Sequence, residues 1–348
     1  MISTSQTEAQ PDIPWDDLRG FFFDGRLIPF LGAGASAFNN DPHRAAPTAS
    51  ALTQKLANKA RVAIDCENVD SCGCKRLRFD LARIASYYQT CISNRPSLDE
   101  FLRVEFANPH LTPNLLHQVI ARIARRRPML IITTNYDDLL EKAFDSPGDD
   151  GSSVPYEIVV TRADNLAYAQ DSDGICETGL EYAGGVLHWV SGQDQCEFKI
   201  VAGSELTFDL AQRSVIYKIH GSVPRGNTWQ GGFLIAEEDY ARFLGRMERG
   251  GIIPEPITTL IRTQVKVAAT KKVPKYSLLF LGYGMRDWNL RVLLEELQFG
   301  RRIPGEERHF AFMRHPDPVE MKLLENRRVS VFDCDLAQVA EKLSEFVR

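Results

Sequence analysis

The chain has 348 residues, 44% of them apolar and 25% charged, close to the globular average, which excludes disorder, collagen and coiled coil as whole-chain readings and suits one large domain or two modest ones. Its longest clean apolar runs are as short as Leu278-Leu279-Phe280-Leu281, far below the ~20 residues that span a bilayer, so no membrane segment is expected. The net charge of −5 hides an asymmetry: thirteen acids against two bases (Arg162, Lys199) between Asp145 and Asp209 leave the rest of the chain at +6, a mildly basic body suited to a phosphate-bearing small molecule rather than to general nucleic-acid binding.

Residues 1–15 are polar, carry Pro11 and Pro14, and lack both a basic start and an apolar h-region. They read as a flexible leader, not a secretory signal, and place the protein in the cytoplasm. Residues 27–31, Leu-Ile-Pro-Phe-Leu, form an apolar strand that ends in the turn Gly32-Ala33-Gly34-Ala35-Ser36. From 47 to 127 the pattern turns helical, with Ala51, Leu52, Leu56 and Ala60, then Leu77, Leu81, Ile84 and Ala85, then Leu115, Leu116, Val119, Ile120 and Ile123 at helical spacing. This stretch reads as a helical module inserted after the first strand.

Pro128 stops the helices; residues 129–134 predict a second buried strand and 135–144 a helix. Residues 145–212 hold eight glycines and most of the acidic excess, with strand-like pieces at 156–160, 185–190 and 197–201, an irregular, partly β insert. A third core strand (215–219) ends at His220-Gly221-Ser222, helices are expected over 237–244 and 256–269, and a fourth strand (277–281) ends at Gly282-Tyr283-Gly284. A helix over 287–297, strands at 309–313 and 329–332 with a helix over 316–326 between them, and a last helix over 336–347 complete the chain. Strands alternating with helices predict an α/β fold built on a Rossmann-like, doubly wound parallel sheet, a single domain over 16–348 interrupted by the two inserts.

The seven cysteines, at 66, 72, 74, 91, 176, 196 and 334, include no C-x-x-C pair, which argues against a disulfide framework and against a four-cysteine zinc ribbon. Cys66, Cys72 and Cys74 cluster at a spacing unsuited to the usual zinc knuckles, so reduced thiols and no metal are expected.

In doubly wound sheets ligands bind beyond the carboxyl ends of the strands. Four apolar strands here end in glycine or polar sequence, and the predicted sheet brings all four ends to one crevice. The small residues Gly32, Ala33 and Gly34 let a backbone approach a diphosphate, or simply make a tight turn; Ser36 stands where the usual dinucleotide fingerprint has its third glycine. Asn135, after Thr133-Thr134, can donate and accept at once and so hold a ribose hydroxyl or a water, or can cap the following helix. Asp137 can reach the crevice or favour the helix dipole. His220 can take a proton at neutral pH or serve as a core histidine bonded to backbone. Gly282-Tyr283-Gly284 is a second close-approach turn, and Asp287 and Arg291 after it either pair as ordinary helix neighbours or orient Tyr283 or a ribose.

Taken together, Gly32–Ser36, Thr133–Asp137, His220-Gly221 and Gly282–Gly284, in that order, resemble the sirtuin superfamily, and most closely the divergent sirtuin-like domains of bacterial antiphage defence. The stretches Phe280-Leu281-Gly282-Tyr283-Gly284-Met285-Arg286-Asp287-Trp288-Asn289-Leu290-Arg291 and Leu234-Ile235-Ala236-Glu237-Glu238-Asp239-Tyr240 look especially like that branch. The resemblance implies an NAD-binding Rossmann-like fold. In it Asn135 fixes the nicotinamide ribose and a water, and His220 acts as base on a ribose hydroxyl. Gly32, Ala33, Gly34, Ser36, Thr134, Asp137, Gly221, Gly282, Tyr283, Gly284 and Asp287 would line the NAD site.

Two departures direct the expected activity. The zinc ribbon of protein-deacylating sirtuins is missing, and the loop Ala37-Phe38-Asn39-Asn40-Asp41-Pro42-His43 lacks their Phe-Arg pair. Plain hydrolysis of NAD+ to nicotinamide and ADP-ribose, depleting NAD+ during infection, is therefore the expectation. An NAD- or ADP-ribose-binding regulatory module and a protein deacylase are the competing readings. The resemblance also implies homo-oligomers or a separate activating partner, such as a HerA-type ATPase or a short Argonaute. The short clusters Arg125-Arg126-Arg127 and Arg301-Arg302 fit solvated surface better than a nucleic-acid interface.

Overall fold

Strand β1 (Leu27–Leu31) shows why the central strands read as unbroken apolar runs. Its Leu31 packs into one core cluster and its Phe30 into another, and Ile131 and Ile132, Ile216 and Tyr217, and Leu279 and Phe280 divide the same way. A strand covered by helices on both faces has no polar side to show. The computed structural model describes residues 12–347 apart from 63–65, 70–74, 78–79, 149–150, 152, 163–184, 193–197, 224–231, 248–252, 267–271, 275 and 284–308.

The remaining strands are β2 (Cys66–Val69), β3 (Lys75–Leu77), β4 (Leu130–Thr133), β5 (Tyr156–Thr161), β6 (Gly185–Val190), β7 (Lys199–Ala202), β8 (Ser214–Lys218), β9 (Gln264–Lys266), β10 (Lys272–Pro274), β11 (Ser277–Leu281), β12 (His309–Met313) and β13 (Val329–Asp333). Nine of them form one sheet in the order β13-β12-β11-β1-β4-β8-β5-β6-β7, parallel from β13 to β5 and antiparallel for β6 and β7. From β1 the chain runs outward to β4 and beyond, then returns to lay β11, β12 and β13 on β1's other side. The direction of winding therefore reverses between β1 and β11, the place where such sheets open a crevice.

The helices Trp15–Phe23, Leu115–Arg126, Leu139–Asp145 and Leu336–Glu345 cover one face, and Glu237–Met247, Glu255–Ile261 and Pro318–Glu325 the other. Trp15, at the end of the segment read as a leader, opens a helix and stacks on Phe312 with ring centroids 5.7 Å apart. The 47–127 stretch divides. Leu116, Val119, Ile120 and Ile123 of its last helix belong to the core under the sheet, whereas Ala49–Ala60, Leu81–Tyr87 and Arg95–Phe106 build a third cluster with Tyr136, Leu139, Val223, Phe233 and Ile235. It also contains a two-stranded ribbon of β2 and β3.

The acidic segment joins the sheet. Its described parts supply β5, buried along its whole length between β8 and β6, together with β6 and β7. The helix expected over 256–269 ends at Ile261, because residues 264–266 leave it to pair with 272–274. The helix expected from 135 starts at Leu139. The helix expected over 287–297 and the pair Arg301-Arg302 lie outside the described residues. No helix among the described residues is long and apolar enough to cross a membrane.

Candidate active site

Register aligns the strand ends. Leu31 is level with Thr133 and with Leu281, and Thr133 with Lys218, so the segments that follow β11, β1, β4 and β8 leave the sheet side by side at one edge. Thr134 N–H donates to the Leu31 carbonyl and Ile219 N–H to that of Thr133, which carries the alignment one step past the strands.

The two glycine turns lock to one another. Gly34 N–H donates to the Gly282 carbonyl at 2.8 Å and Gly32 N–H to that of Leu281 at 3.0 Å. Gly282 has φ +66°, and a Cβ there would lie 2.3 Å from Ala35 N. These glycines are needed for backbone to touch backbone, and the N–H groups of Gly32 and Gly34 are committed to that contact. Ala33, exposed between them, is the part of the turn that faces outward. Tyr283 turns its ring into the core, edge-on to Phe30 at 5.4 Å, and belongs to the turn through its backbone. Gly221, with φ +90°, pairs with Phe233 in an isolated bridge where a Cβ would strike the Gly232 carbonyl. Gly284, Asp287 and Arg291 lie outside the described residues.

Ser36, Asn135 and Asp137 meet in a buried hydrogen-bond network. The Asn135 amide nitrogen donates to Ser36 Oγ at 2.9 Å, and His117 Nε2 lies 3.2 Å from the same oxygen. The backbone N–H of Asn114 donates to His117 Nδ1, which makes Nδ1 the acceptor and leaves the ring proton on Nε2, pointing at Ser36. Burial and the nearby Lys218 ammonium hold the His117 pKa down at about 3, so the ring is neutral and keeps that single donor. Ser36 therefore accepts twice and sends its own proton to the Asp137 carboxylate, which also receives Leu139 N–H.

With Ser36 presenting only lone pairs to Asn135, the amide has one orientation. Its NH₂ faces the serine, and Oδ1, buried, makes no hydrogen bond to the described residues. Helix capping is not its role: Asp138 holds the N-cap position of the following helix, and the Asp137 carboxylate accepts the Leu139 N–H. A buried acceptor without a partner is costly unless something supplies a donor, which suits a hydroxyl or a water brought by a ligand.

Beneath this network lies a buried ion pair. Lys218 Nζ is 2.8 Å from Glu141 Oε1, both side chains almost fully buried, and also donates to the Asp137 carbonyl. Burial pushes the carboxyl pKa values of Asp137 and Glu141 up, opposed in both by Lys218. The Asp137 carboxylate, buried like Asn135 and His220, is taken up by the Ser36 hydroxyl and Leu139 N–H.

His220 leaves β8 at the level of Asn135, each two residues beyond the paired Lys218 and Thr133. Its ring packs edge-on to Tyr240 at 5.8 Å and Phe243 at 6.5 Å, both on the helix Glu237–Met247. Thr134 takes part through its backbone. Among the described residues, no group of three or more His, Cys, Asp or Glu is placed to hold a metal ion. Sequence reasoning missed Asn114, His117 and Lys218. The available signals were Asn-Leu-Leu-His at the start of a helix, a capping pattern, and a lysine inside an apolar strand.

A family model for the SIR2-like domain matches residues 129–332, which include the Asn135, His220 and Gly282 motifs. The chain belongs to the SIR2-like family. That membership carries an NAD-related, sirtuin-like function. The Gly32–Ser36 turn lies before the matched span and is bonded to two residues within it, Gly282 and Asn135. A solved structure of Sir2 enzymes is similar at 13% identity over 95% of this chain and 98% of that one, with a TM-score of 0.38. No curated protein matches.

Proposed function

We propose that this SIR2-like protein is an NAD+ glycohydrolase that breaks the bond between nicotinamide and ribose. The observation that carries the reading is Asn135 Oδ1, a buried acceptor held in one orientation by Ser36 at the end of β4, beside the turn that follows β1. In the proposed reaction Oδ1 accepts from a ribose hydroxyl or from the attacking water, and His220 takes a proton from a ribose hydroxyl. The C1′–N bond breaks and its electron pair stays with nicotinamide, which neutralises the positive ring nitrogen. Water oxygen bonds to C1′ and one proton is released, giving nicotinamide and ADP-ribose. Holding the ribose and one water in register with an acceptor and a base is the protein's contribution to a step that develops positive charge on the sugar.

Depletion of NAD+ in antiphage defence, switched on in a homo-oligomer or by a separate partner such as a HerA-type ATPase or a short Argonaute, is the biological setting proposed for that activity. The test is nicotinamide release from NAD+ by the purified protein, alone and with the product of a neighbouring gene. Asn135→Ala and His220→Ala should each lower the rate at least a hundredfold. Variants that cleave as fast as wild type would refute the assignment. Tight ADP-ribose binding in calorimetry with NAD+ intact in every assembly state would favour the regulatory module instead.

A further inference from the structure

The inserted helices grip the segment on which the proposed base rests. Residues 233–236 form a short strap across the end of the site. Leu234 N–H donates to the His220 carbonyl at 2.9 Å, and Phe233 bridges to Gly221. Tyr136, next to Asn135, donates its hydroxyl proton to the Leu234 carbonyl at 2.6 Å, and its own carbonyl accepts Val223 N–H. One segment therefore touches the immediate surroundings of both Asn135 and His220.

That segment is clamped from the insert by Arg95, at the start of the helix Arg95–Phe106. Its guanidinium donates to the Phe233 carbonyl and, through Nη1, to both oxygens of Asp239 at 2.6 and 2.8 Å; its Nε bonds Asp99 at 2.9 Å. Asp239, only 2% exposed, closes the strap on itself by accepting the N–H groups of Ile235 and Ala236 at 3.0 and 2.9 Å. The next residue, Tyr240, and then Phe243 flank the His220 ring. A second tie comes from the insert's preceding helix, where Ser86 and Gln89 both donate to Glu238 Oε2. An arginine that forks between a buried carboxylate and a backbone carbonyl fixes geometry as well as charge.

Resting on the NAD-cleaving reading above, we propose that Arg95 is a positioning residue: through Asp239 and the strap it sets His220, and so makes the inserted helices the control element of the site. The strap reaches the amide half only through Tyr136, and the Asn135 side chain has its own anchor in Ser36, so loosening the strap moves the imidazole half of the site further than the amide half.

The test uses the full chain as wild type, Arg95→Ala, Arg95→Lys and Asp239→Asn, with hydrogen exchange and NAD+ turnover both measured. In Arg95→Ala the amide of Leu234 should exchange ten- to a hundredfold faster, while that of Thr134, bonded to Leu31, keeps its wild-type rate. Turnover (kcat) should fall ten- to a hundredfold with ADP-ribose affinity within threefold of wild type, and Arg95→Lys, which keeps the charge but not the fork, should recover part of it. Unchanged exchange at Leu234, equal acceleration at Thr134, or an affinity loss that matches the loss in kcat would overturn the proposal. If Arg95→Ala does not fold, Arg95→Lys and Asp239→Asn carry the same comparison. A wild type that leaves NAD+ intact in every assembly state sinks the functional reading alone, and the exchange pattern then still decides whether the clamp exists.

Discussion

Lys218→Met puts the buried ion pair to a quantitative test. The ammonium it removes is 1% exposed and sits 2.8 Å from a Glu141 carboxylate that is 4% exposed. Glu141 then has two courses. It can stay charged without a partner, which typically costs roughly 3–5 kcal/mol. It can instead take a proton, and for a carboxyl with an ordinary pKa of 4.5 this costs ~3.4 kcal/mol at pH 7 but only ~0.7 kcal/mol at pH 5. The second course caps the charge penalty. Loss of the hydrogen bond to the Asp137 carbonyl adds about 1 kcal/mol. The expected destabilisation is therefore about 4 kcal/mol at pH 7 and under about 2 kcal/mol at pH 5. The sign follows from linkage: burial already raises the Glu141 pKa and Lys218 opposes that rise, so without Lys218 the folded state holds the Glu141 proton to still higher pH and the variant weakens more than wild type as pH rises. Urea unfolding at the two pH values measures this. The double variant Lys218→Met/Glu141→Leu should recover most of the loss. A loss below about 1 kcal/mol, an equal loss at both pH values, or a double variant no better than the single one would refute the reasoning.

Gly282→Ala should lower stability by roughly 3 kcal/mol or more, since it combines a left-handed φ with a Cβ against backbone; Gly151→Ala, left-handed but open around its Cβ, should cost only ~1–2 kcal/mol, and thermal melts of the two separate strain from clash. Ser36→Ala leaves the Asn135 amide, His117 Nε2 and Asp137 without their shared partner, so a loss of about 1–3 kcal/mol and a fall in nicotinamide release should appear together. His117 and His309 are held by burial at about 3 and about 4, below the usual 6.5. The unfolded chain therefore gains protons that the fold does not, and stability is lost as pH falls below 6.5, by ~1.4 kcal/mol per pH unit for each. Asp137 and Glu141, with raised pKa values, act in the opposite sense, so the difference between wild type and His117→Gln isolates the histidine: its denaturation profile should be flatter by that slope between pH 6 and 4.5.

The frame was readable wherever an apolar run is buried on both faces and stopped by glycine or polar residues. Strands Leu27–Leu31, Gly185–Val190, Ser277–Leu281 and His309–Met313 fall where periodicity puts them. Reading failed where local pattern and tertiary pairing disagree. Ile257, Leu260, Ile261 and Val265 keep helical spacing, yet the helix stops at Ile261 because residues 264–266 find a strand partner. Trp15–Phe23 went unread because its helix gains its packing from Phe312 and Phe346, some three hundred residues away. In the site, Ser36, Asn135 and Asp137 were legible as motif residues. Asn114 and His117 were not, because their pairing with Ala35, Phe38 and Ser36 crosses about eighty residues and imitates an ordinary helix start.

These differences in legibility track how the two halves of the site are held. The amide half hangs on the sheet itself: Ser36 and Asn135 follow adjacent strands, and their partners are His117 on the helix Leu115–Arg126, which packs under the sheet, and Asp137 in the turn that follows β4. The imidazole half hangs on a strap whose anchors, Arg95 and Ser86, come from the insert. Motif order reports the first arrangement directly, because strand pairing fixes it. The second depends on contacts 138 to 152 positions apart in the chain, made by a charged fork over an apolar seam of Phe106, Tyr136 and Phe233. Fewer strand-like bonds and more side-chain bonds hold that half, so it should open at lower free energy than the sheet. If NAD+ cleavage needs both halves in register, the state of the inserted helices governs the rate, and a partner or a second copy that presses on those helices has a mechanical route to His220 without touching the ligand.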